Sequence, residues 1–215
     1  SPDRTIHCHN SSNTTNVRTK FSNGTTGEGA SDGFEIGING SDPAQAVLVN
    51  YENSPMAFFT NATERVRVQA GGGISFNGDT AAANALDDYE EGGWTPSVVH
   101  GGDSIANDTN NNRYVKIGSM VFLTFQIYTL GNPNGSTLEI GSLPYSIATH
   151  REGTGSCMSN NVDYSSGRTM LSVYASAGTA KLRFYASGSN TNWRAIEGND
   201  FGSGAIIGSI AYHTV

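Results

Sequence analysis

The chain has 215 residues, enough for one large or two smaller domains, and only 14% of them are charged, while 27 are glycine. This composition is typical of turn-rich β proteins, and nine Tyr, nine Phe and two Trp argue against a disordered chain. A net charge of -7 disfavours binding to nucleic acid, and no apolar run approaches the roughly 20 residues of a membrane-spanning helix, so we expect no membrane insertion.

The first residues with metal-binding chemistry are His7 and His9, on either side of Cys8. A strand repeats every two residues and would place both imidazoles on one face, where three parallel chains could surround a transition metal. An exposed N-terminal strand accounts for the same residues, and we favour it. We therefore expect no metal and no cofactor. Cys8 and Cys157 show neither metal-like nor disulfide-framework spacing.

Residues 1–79 are predicted to form a β-rich region of short strands. Between Phe34 and Phe76, short apolar runs alternate with turn formers such as Asn39-Gly40 and Gly71-Gly72-Gly73. Ordering one residue costs about 1–2 kcal/mol, whereas a fully covered apolar side chain returns about 1.5–3 kcal/mol. We therefore expect several copies to cover one another. The alternative is a small monomeric sheet packed on the following domain.

Residues 80–93 are predicted to connect the two parts as a short helix or turn. The stretch 80–91 is rich in Ala, which tolerates a helix, and Gly92-Gly93 would end it. Acidic residues are concentrated here, at Asp87, Asp88, Glu90 and Glu91. A glycosidase holds its two carboxyl groups about 5–9.5 Å apart across a sugar, which neighbours in sequence rarely achieve. We expect no catalytic residues and no enzyme.

Residues 94–215 are predicted to form an antiparallel β-sandwich of jelly-roll type. Residues 114–117 and 120–128 indicate a hairpin, and Trp94 is expected in the core. Alternating apolar residues predict the core face of its second strand: Val121, Leu123, Phe125 and Ile127. A second hairpin is predicted from 171–174 and 182–185 around Gly178, and a last strand from 205–212.

The stretch 188–194 is the strongest candidate for a binding surface, because it combines a bulky ring with amides and a guanidinium in a predicted surface loop. Such groups stack on sugar faces and bind hydroxyls. The candidate receptor-binding residues are Trp193 and Arg194 first, with Asn190, Asn192, Asp163, Tyr164 and Arg168 beside them. Alternatively, Trp193 is buried in the sandwich or in a contact between chains.

The segment Leu86-Asp87-Asp88-Tyr89-Glu90-Glu91-Gly92-Gly93-Trp94-Thr95-Pro96 resembles one that opens the C-terminal β domain in tail fibres of tailed bacteriophages, especially marine and cyanobacterial phages. Similar segments follow the same order at residues 1–7, 73–80, 114–118 and 138–145. The chain departs from the family at Gly93, where Thr is more frequent, and at Cys8, where Val is common. Residues 152–200 show no such similarity.

The resemblance implies a homotrimeric fibre in the virion, joined to other tail proteins, with C-terminal domains that form a host-facing tip. Some similar fibres bind iron through His-x-His pairs, and the family does not imply catalysis. We expect attachment to a bacterial surface glycan or lipopolysaccharide. The alternative is a purely structural head fibre or a shaft and trimerisation segment. A polysaccharide-degrading tailspike is the third interpretation.

Overall fold

The chain is all-β, with 51% of residues in strands and 3% in helical turns. A computed structural model describes residues 6–12, 14–40, 45–100, 105–107, 111–130 and 132–215. The chain divides into two compact units, Ser1–Asp87 and Asp88–Val215. Within the described residues, none of the helical segments has the length and apolar character needed to span a bilayer.

The first unit contains two separate antiparallel sheets of three strands each. The first sheet has the order β1-β2-β3, with β1 Val17–Phe21, β2 Phe34–Ile38 and β3 Ala46–Asn50. The second has the order β4-β5-β6, with β4 Met56–Thr60, β5 Thr63–Val68 and β6 Ile74–Phe76. The apolar runs predicted between Phe34 and Phe76 coincide with β2 to β6.

Each sheet of the first unit leaves an apolar face exposed. Ile36 and Leu48 are Cα partners on β2 and β3 and are 46% and 48% exposed. In the second sheet, Phe58 and Phe76 share one face through their common partner Val66, and both rings are about half exposed. Monomeric soluble domains rarely expose contiguous apolar faces.

The opposite faces are polar and well hydrogen-bonded. In the first sheet, Arg18 donates to Glu35 at 2.9 Å and to the Tyr51 hydroxyl at 3.2 Å. In the second sheet, the buried Ser75 hydroxyl donates to the Asp79 carbonyl at 2.7 Å. Polar contacts therefore tie the strands together on these faces, while Ile36, Leu48, Phe58 and Phe76 lie on the uncovered sides.

The structure has no continuous helix over residues 80–91, where the sequence allowed one. Only Ala82–Asn84 form a 3-10 turn, and Tyr89–Gly93 form strand β7, paired with Arg113–Ile117 of β10. Gly92 does not end a helix. A Cβ atom at this position would lie 2.8 Å from Cε1 of Tyr114, so the missing side chain makes room for that ring.

The second unit is one curled antiparallel sheet of eleven strands. After β7, the strands are β8 Ser97–His100, β9 Ile105–Asn107, β10 Arg113–Ile117, β11 Met120–Leu130 and β12 Glu139–Gly141. They are followed by β13 Gly153–Val162, β14 Met170–Ala175, β15 Leu182–Gly188, β16 Thr191–Ala195 and β17 Phe201–His213. Their order in the sheet is β7-β10-β11-β17-β13-β14-β15-β12-β8, with β9 beside β11 and β16 beside β15.

The inner face of the curled sheet forms a complete hydrophobic core. Phe125 of β11 meets Phe184 of β15 edge to face at 5.9 Å, although three strands separate them in the sheet. The predicted core residues are all buried: Val121, Leu123, Phe125 and Ile127. Trp94 is also in the core, where its indole nitrogen donates to the Thr124 carbonyl at 3.1 Å. Both predicted hairpins and the last strand are confirmed as β10–β11, β14–β15 and β17.

Candidate functional site

Three aromatic rings form a row on the outer face of β14, β15 and β16. Tyr174 and Tyr185 meet edge to face at 5.7 Å, and Trp193 lies 5.5 Å from Tyr185 with the ring planes inclined at 37°. Trp193 is 71% exposed. Offset rings at these distances attract one another, and the exposed outer ring leaves a flat apolar surface for a ligand.

Strand alternation explains why these rings face outward. On β15, Leu182, Phe184 and Ala186 are fully buried, so Tyr185 points to the other side of the sheet. Tyr174 likewise alternates with buried neighbours on β14. Burial of the core residues on the inner face therefore holds the tyrosine rings on the outer face.

A polar groove adjoins the ring row. Its volume is about 570 Å³, and the residues that line it are His100, Ser136, Thr137, Glu139, Lys181, Arg183 and Tyr185. Tyr185 belongs to both the groove and the ring row, so the two features form one continuous surface. We call this surface the ring-groove site.

Glu139 organises the basic residues of the groove. Its side chain is only 5% exposed, and it accepts hydrogen bonds from Lys181 Nζ at 2.9 Å and Arg183 Nε at 2.7 Å. His100 Nε2 lies 3.5 Å from the same carboxylate. Burial alone would raise the pKa of Glu139, but the hydrogen bonds from Lys181 and Arg183 outweigh it and lower that pKa below its ordinary value.

The ring-groove site brings together the groups used in sugar recognition. A pyranose presents C–H faces that pack on aromatic rings, and hydroxyls that bind planar amides, carboxylates and cations. Here the rings come from Tyr185 and Trp193, and the polar partners come from Lys181 and Arg183. The geometry suits binding of an extended polar ligand at the surface.

Trp193 and Arg194, paired in the sequence prediction, lie on different sides of β16. Residues 191–195 form this strand rather than a loop, because they pair with β15 from Tyr185 to Gly188. Arg194 donates to both carboxylate oxygens of Asp200, at 2.6 and 3.1 Å. That hydrogen bond raises the pKa of Arg194. Trp193 belongs to the ring-groove site, whereas Arg194 is engaged in an ion pair outside it.

The other predicted binding residues lie around the β15–β16 turn. Asn190 is exposed at the turn with a φ of 55°, and Asn192 is exposed on β16. Arg168 donates from Nε to the Asn192 carbonyl at 3.1 Å, which ties the loop after β13 to the turn. These three residues are neighbours, but they do not line the groove.

Asp163 and Tyr164 have local structural partners. The Asp163 carboxylate accepts the Ser165 N–H at 2.8 Å, and its own N–H donates to the Asp200 carbonyl at 2.8 Å. Tyr164 is half-buried against the core and shares a hydrogen bond with the Ser159 hydroxyl. Their role in receptor binding stays a prediction.

The acidic residues in the 87–91 segment make structural contacts. Asp88 forms an ion pair with the buried Lys116, and Glu90 accepts a hydrogen bond from the Tyr145 hydroxyl at 2.5 Å. The Glu90 hydrogen bond raises the pKa of Tyr145. Glu91 accepts from the Tyr89 hydroxyl at 3.0 Å. These three acidic side chains therefore take part in contacts within the second unit.

His7 and His9 lie in an irregular stretch rather than in the strand that the metal interpretation requires. Their ring centroids are 5.8 Å apart and both residues are exposed. Across the described parts of the chain, no three metal-binding side chains of the His, Cys, Asp or Glu type come together.

Sequence reasoning missed Tyr174, Tyr185, Lys181, Arg183, Glu139 and His100. Tyr185 and Arg183 carry a detectable signal, because polar and aromatic residues alternate with the apolar core residues of β15. Glu139 carries none, since its partners Lys181 and Arg183 lie more than 40 residues away.

The comparisons with known proteins find no match. No family model matches the chain, and no match is found among curated proteins or solved structures.

Proposed function

We propose that the chain is the distal part of a homotrimeric bacteriophage tail fibre that attaches the virion to a glycan or lipopolysaccharide on the bacterial surface. The observation that carries the proposal is the contrast between the two units. The first leaves apolar sheet faces uncovered, while the second has its own core and presents the ring-groove site.

Association of chains follows from the first unit. Phe21, Ile38 and Leu48 of the first sheet are each about half exposed, as are Phe58 and Phe76 of the second. Copies that cover these faces bury surface worth roughly 25 cal/mol per Å². Three copies around one axis would form a fibre shaft, with a β-sandwich tip after residue 93.

Attachment follows from the second unit. This unit buries its own hydrophobic core, and the ring-groove site lies on its outer surface. Trp193 is exposed beside polar groups that can bind sugar hydroxyls. A trimer would carry three such sites, and repeated weak contacts raise the overall avidity through effective concentration.

The resemblance of residues 86–96 to the boundary segment of phage fibres supports the assignment to a bacteriophage tail fibre. It supports a location in the virion, contact with other tail proteins and a host-facing tip. The ordered similarities at residues 73–80, 114–118 and 138–145 support the same assignment over both units.

Two measurements test the proposal. Native mass spectrometry of the purified chain should give three times the 22.6 kDa of one copy. Fluorescently labelled protein should bind the cells of susceptible bacteria and not resistant mutants that lack the surface glycan. A monomeric mass would contradict the trimer, and equal absence of binding to both cell types would contradict the attachment role.

A structural head fibre or trimerisation segment is the second candidate. It is favoured by exposed apolar side chains on the outer face of the second unit, namely Phe122, Met158, Met170 and Ile207. This face could instead contact neighbouring chains. Substitution of Trp193 distinguishes the two candidates, because lost cell binding with an intact trimer favours attachment, whereas lost assembly favours the structural role.

A further inference from the structure

Starting from the proposed attachment function, we infer that the ring-groove site takes a hexose that carries an anionic group, a carboxylate or a phosphate. The sugar ring packs on Trp193 and Tyr185, and the anionic group lies against Lys181 and Arg183. Charge, exposure and placement within the groove support this assignment.

The groove carries a local excess of positive charge. Among its described lining residues, Lys181 and Arg183 are opposed by the single carboxylate of Glu139. The chain as a whole has a net charge of -7, so this patch differs in sign from the protein around it. A locally positive groove concentrates anionic ligands.

The basic groups reach the surface while the carboxylate does not. The Lys181 and Arg183 side chains are 33% and 34% exposed, whereas that of Glu139 is 5% exposed. An ammonium has three N–H donors and a guanidinium has five, more than one carboxylate can accept. Glu139 therefore orients both cations from the floor of the groove. The N–H groups of Lys181 and Arg183 that Glu139 does not accept remain at the groove surface.

The ring row fixes the direction of the ligand. Tyr185 lines the groove and contacts Trp193, so a sugar stacked there has its substituents next to Arg183. Tyr174, the ring at the inner end of the row, is the Cα partner of Arg183, so the guanidinium lies beside both tyrosines of the row.

Glucose, glucuronate and glucose 6-phosphate test the inference, because they share a ring and differ only at C6. The two tryptophans provide the readout: Trp193 is exposed, while Trp94 is 6% exposed and bonded within the core. Quenching of Trp193 emission in the assembled protein is titrated with each sugar. The Trp193→Phe variant supplies the Trp94 background.

We expect at least one of the anionic sugars to bind tenfold or more tightly than glucose, and added salt to weaken that preference. The response to glucuronate against glucose 6-phosphate identifies which anion the site takes. Acetate and inorganic phosphate should give no comparable quenching, since they lack the ring. Lys181→Gln, which keeps a donor for Glu139, should remove most of the preference.

Arg113→Gln is the charge-matched control, because Arg113 is exposed on β10 outside the groove, and it should leave the preference unchanged.

Equal quenching by glucose, no quenching by any sugar, or a full preference in Lys181→Gln would overturn the inference. Cell binding reports separately on the proposed function: persistent binding with no anionic preference means that the fibre attaches through other contacts, and its absence rejects the attachment role itself.

Discussion

Trp193 lies against Tyr185 with ring centroids 5.5 Å apart and ring planes inclined at 37°. Tyr185 is half-buried and fixed by the core strand β15, whereas Trp193 is 71% exposed. The inner ring therefore orients the outer one and reduces the entropy lost when a ligand packs on it.

The first prediction concerns this outer ring. Trp193→Ala should weaken cell binding at least tenfold, because it removes the stacking surface. It should change the free energy of unfolding by only about 0.5 kcal/mol, since the ring is largely exposed. Cell-binding titrations and thermal unfolding measure the two effects. Met158→Ala is the control, because Met158 is equally exposed on β13 and should leave binding unchanged.

The sequence predicts the core strands better than the site. Val121, Leu123, Phe125 and Ile127 alternate in one strand, so their own pattern indicates the buried face. β13 escaped prediction because Gly153–Val162 contains few apolar residues. Its place between β14 and β17 depends on close approach: a Cβ atom at Gly155 would lie 2.1 Å from the Ser209 carbonyl oxygen.

The ring-groove site could be predicted only in part. Trp193 was identified because a bulky ring among Asn and Thr indicates a surface. Its neighbour Tyr185 lies on β15 and the buried Glu139 on β12, and the sheet pairs β15 with both β12 and β16. The Arg194–Asp200 ion pair likewise depends on the 3-10 turn Gly198–Asp200, which no sequence pattern predicted.

The second prediction concerns association through the first unit. The double variant Ile36→Asn and Leu48→Asn should lower the native mass from trimer to monomer, because both side chains lie on the exposed apolar face. Lys20→Asn on β1 is the control and should keep the trimer, since Lys20 is a polar residue on the opposite face. Unchanged mass in the double variant would contradict the proposed interface.

The third prediction concerns the two thiols. Cys157 is partly buried, and burial raises the pKa of its thiol to about 12, so at pH 8 far less of this thiol than of an ordinary one is ionised and able to react. Cys8 is exposed. Ellman's reagent should therefore leave Cys157 unmodified in the folded protein and modify it after denaturation, and the Cys8→Ser variant shows this directly. Rapid reaction of that folded variant would contradict the burial of Cys157.

The fourth prediction concerns Glu139. Burial raises the pKa of this carboxyl, but the hydrogen bonds from Lys181 and Arg183 have the larger combined effect and lower the pKa below its ordinary value. A lowered pKa means that the ionised carboxylate stabilises the fold at pH values above about 4.5, and that this contribution disappears as the pH falls through the folded-state pKa. Glu139→Gln lacks the contribution at every pH.

At pH 7 the Glu139→Gln variant should therefore be less stable than the wild type by about 1–3 kcal/mol. The difference should begin to shrink as the pH falls below about 4.5, because the unfolded wild type then takes up a proton that the folded carboxylate does not yet bind. Urea unfolding followed by Trp94 fluorescence at one fixed chain concentration measures it, since Trp94 reports on the core of the second unit. Glu91→Gln is the control, because Glu91 is exposed and should cost much less at pH 7. A stability difference between wild type and Glu139→Gln that stays constant from pH 7 to pH 3 would show that Glu139 stabilises the groove through packing rather than through its charge.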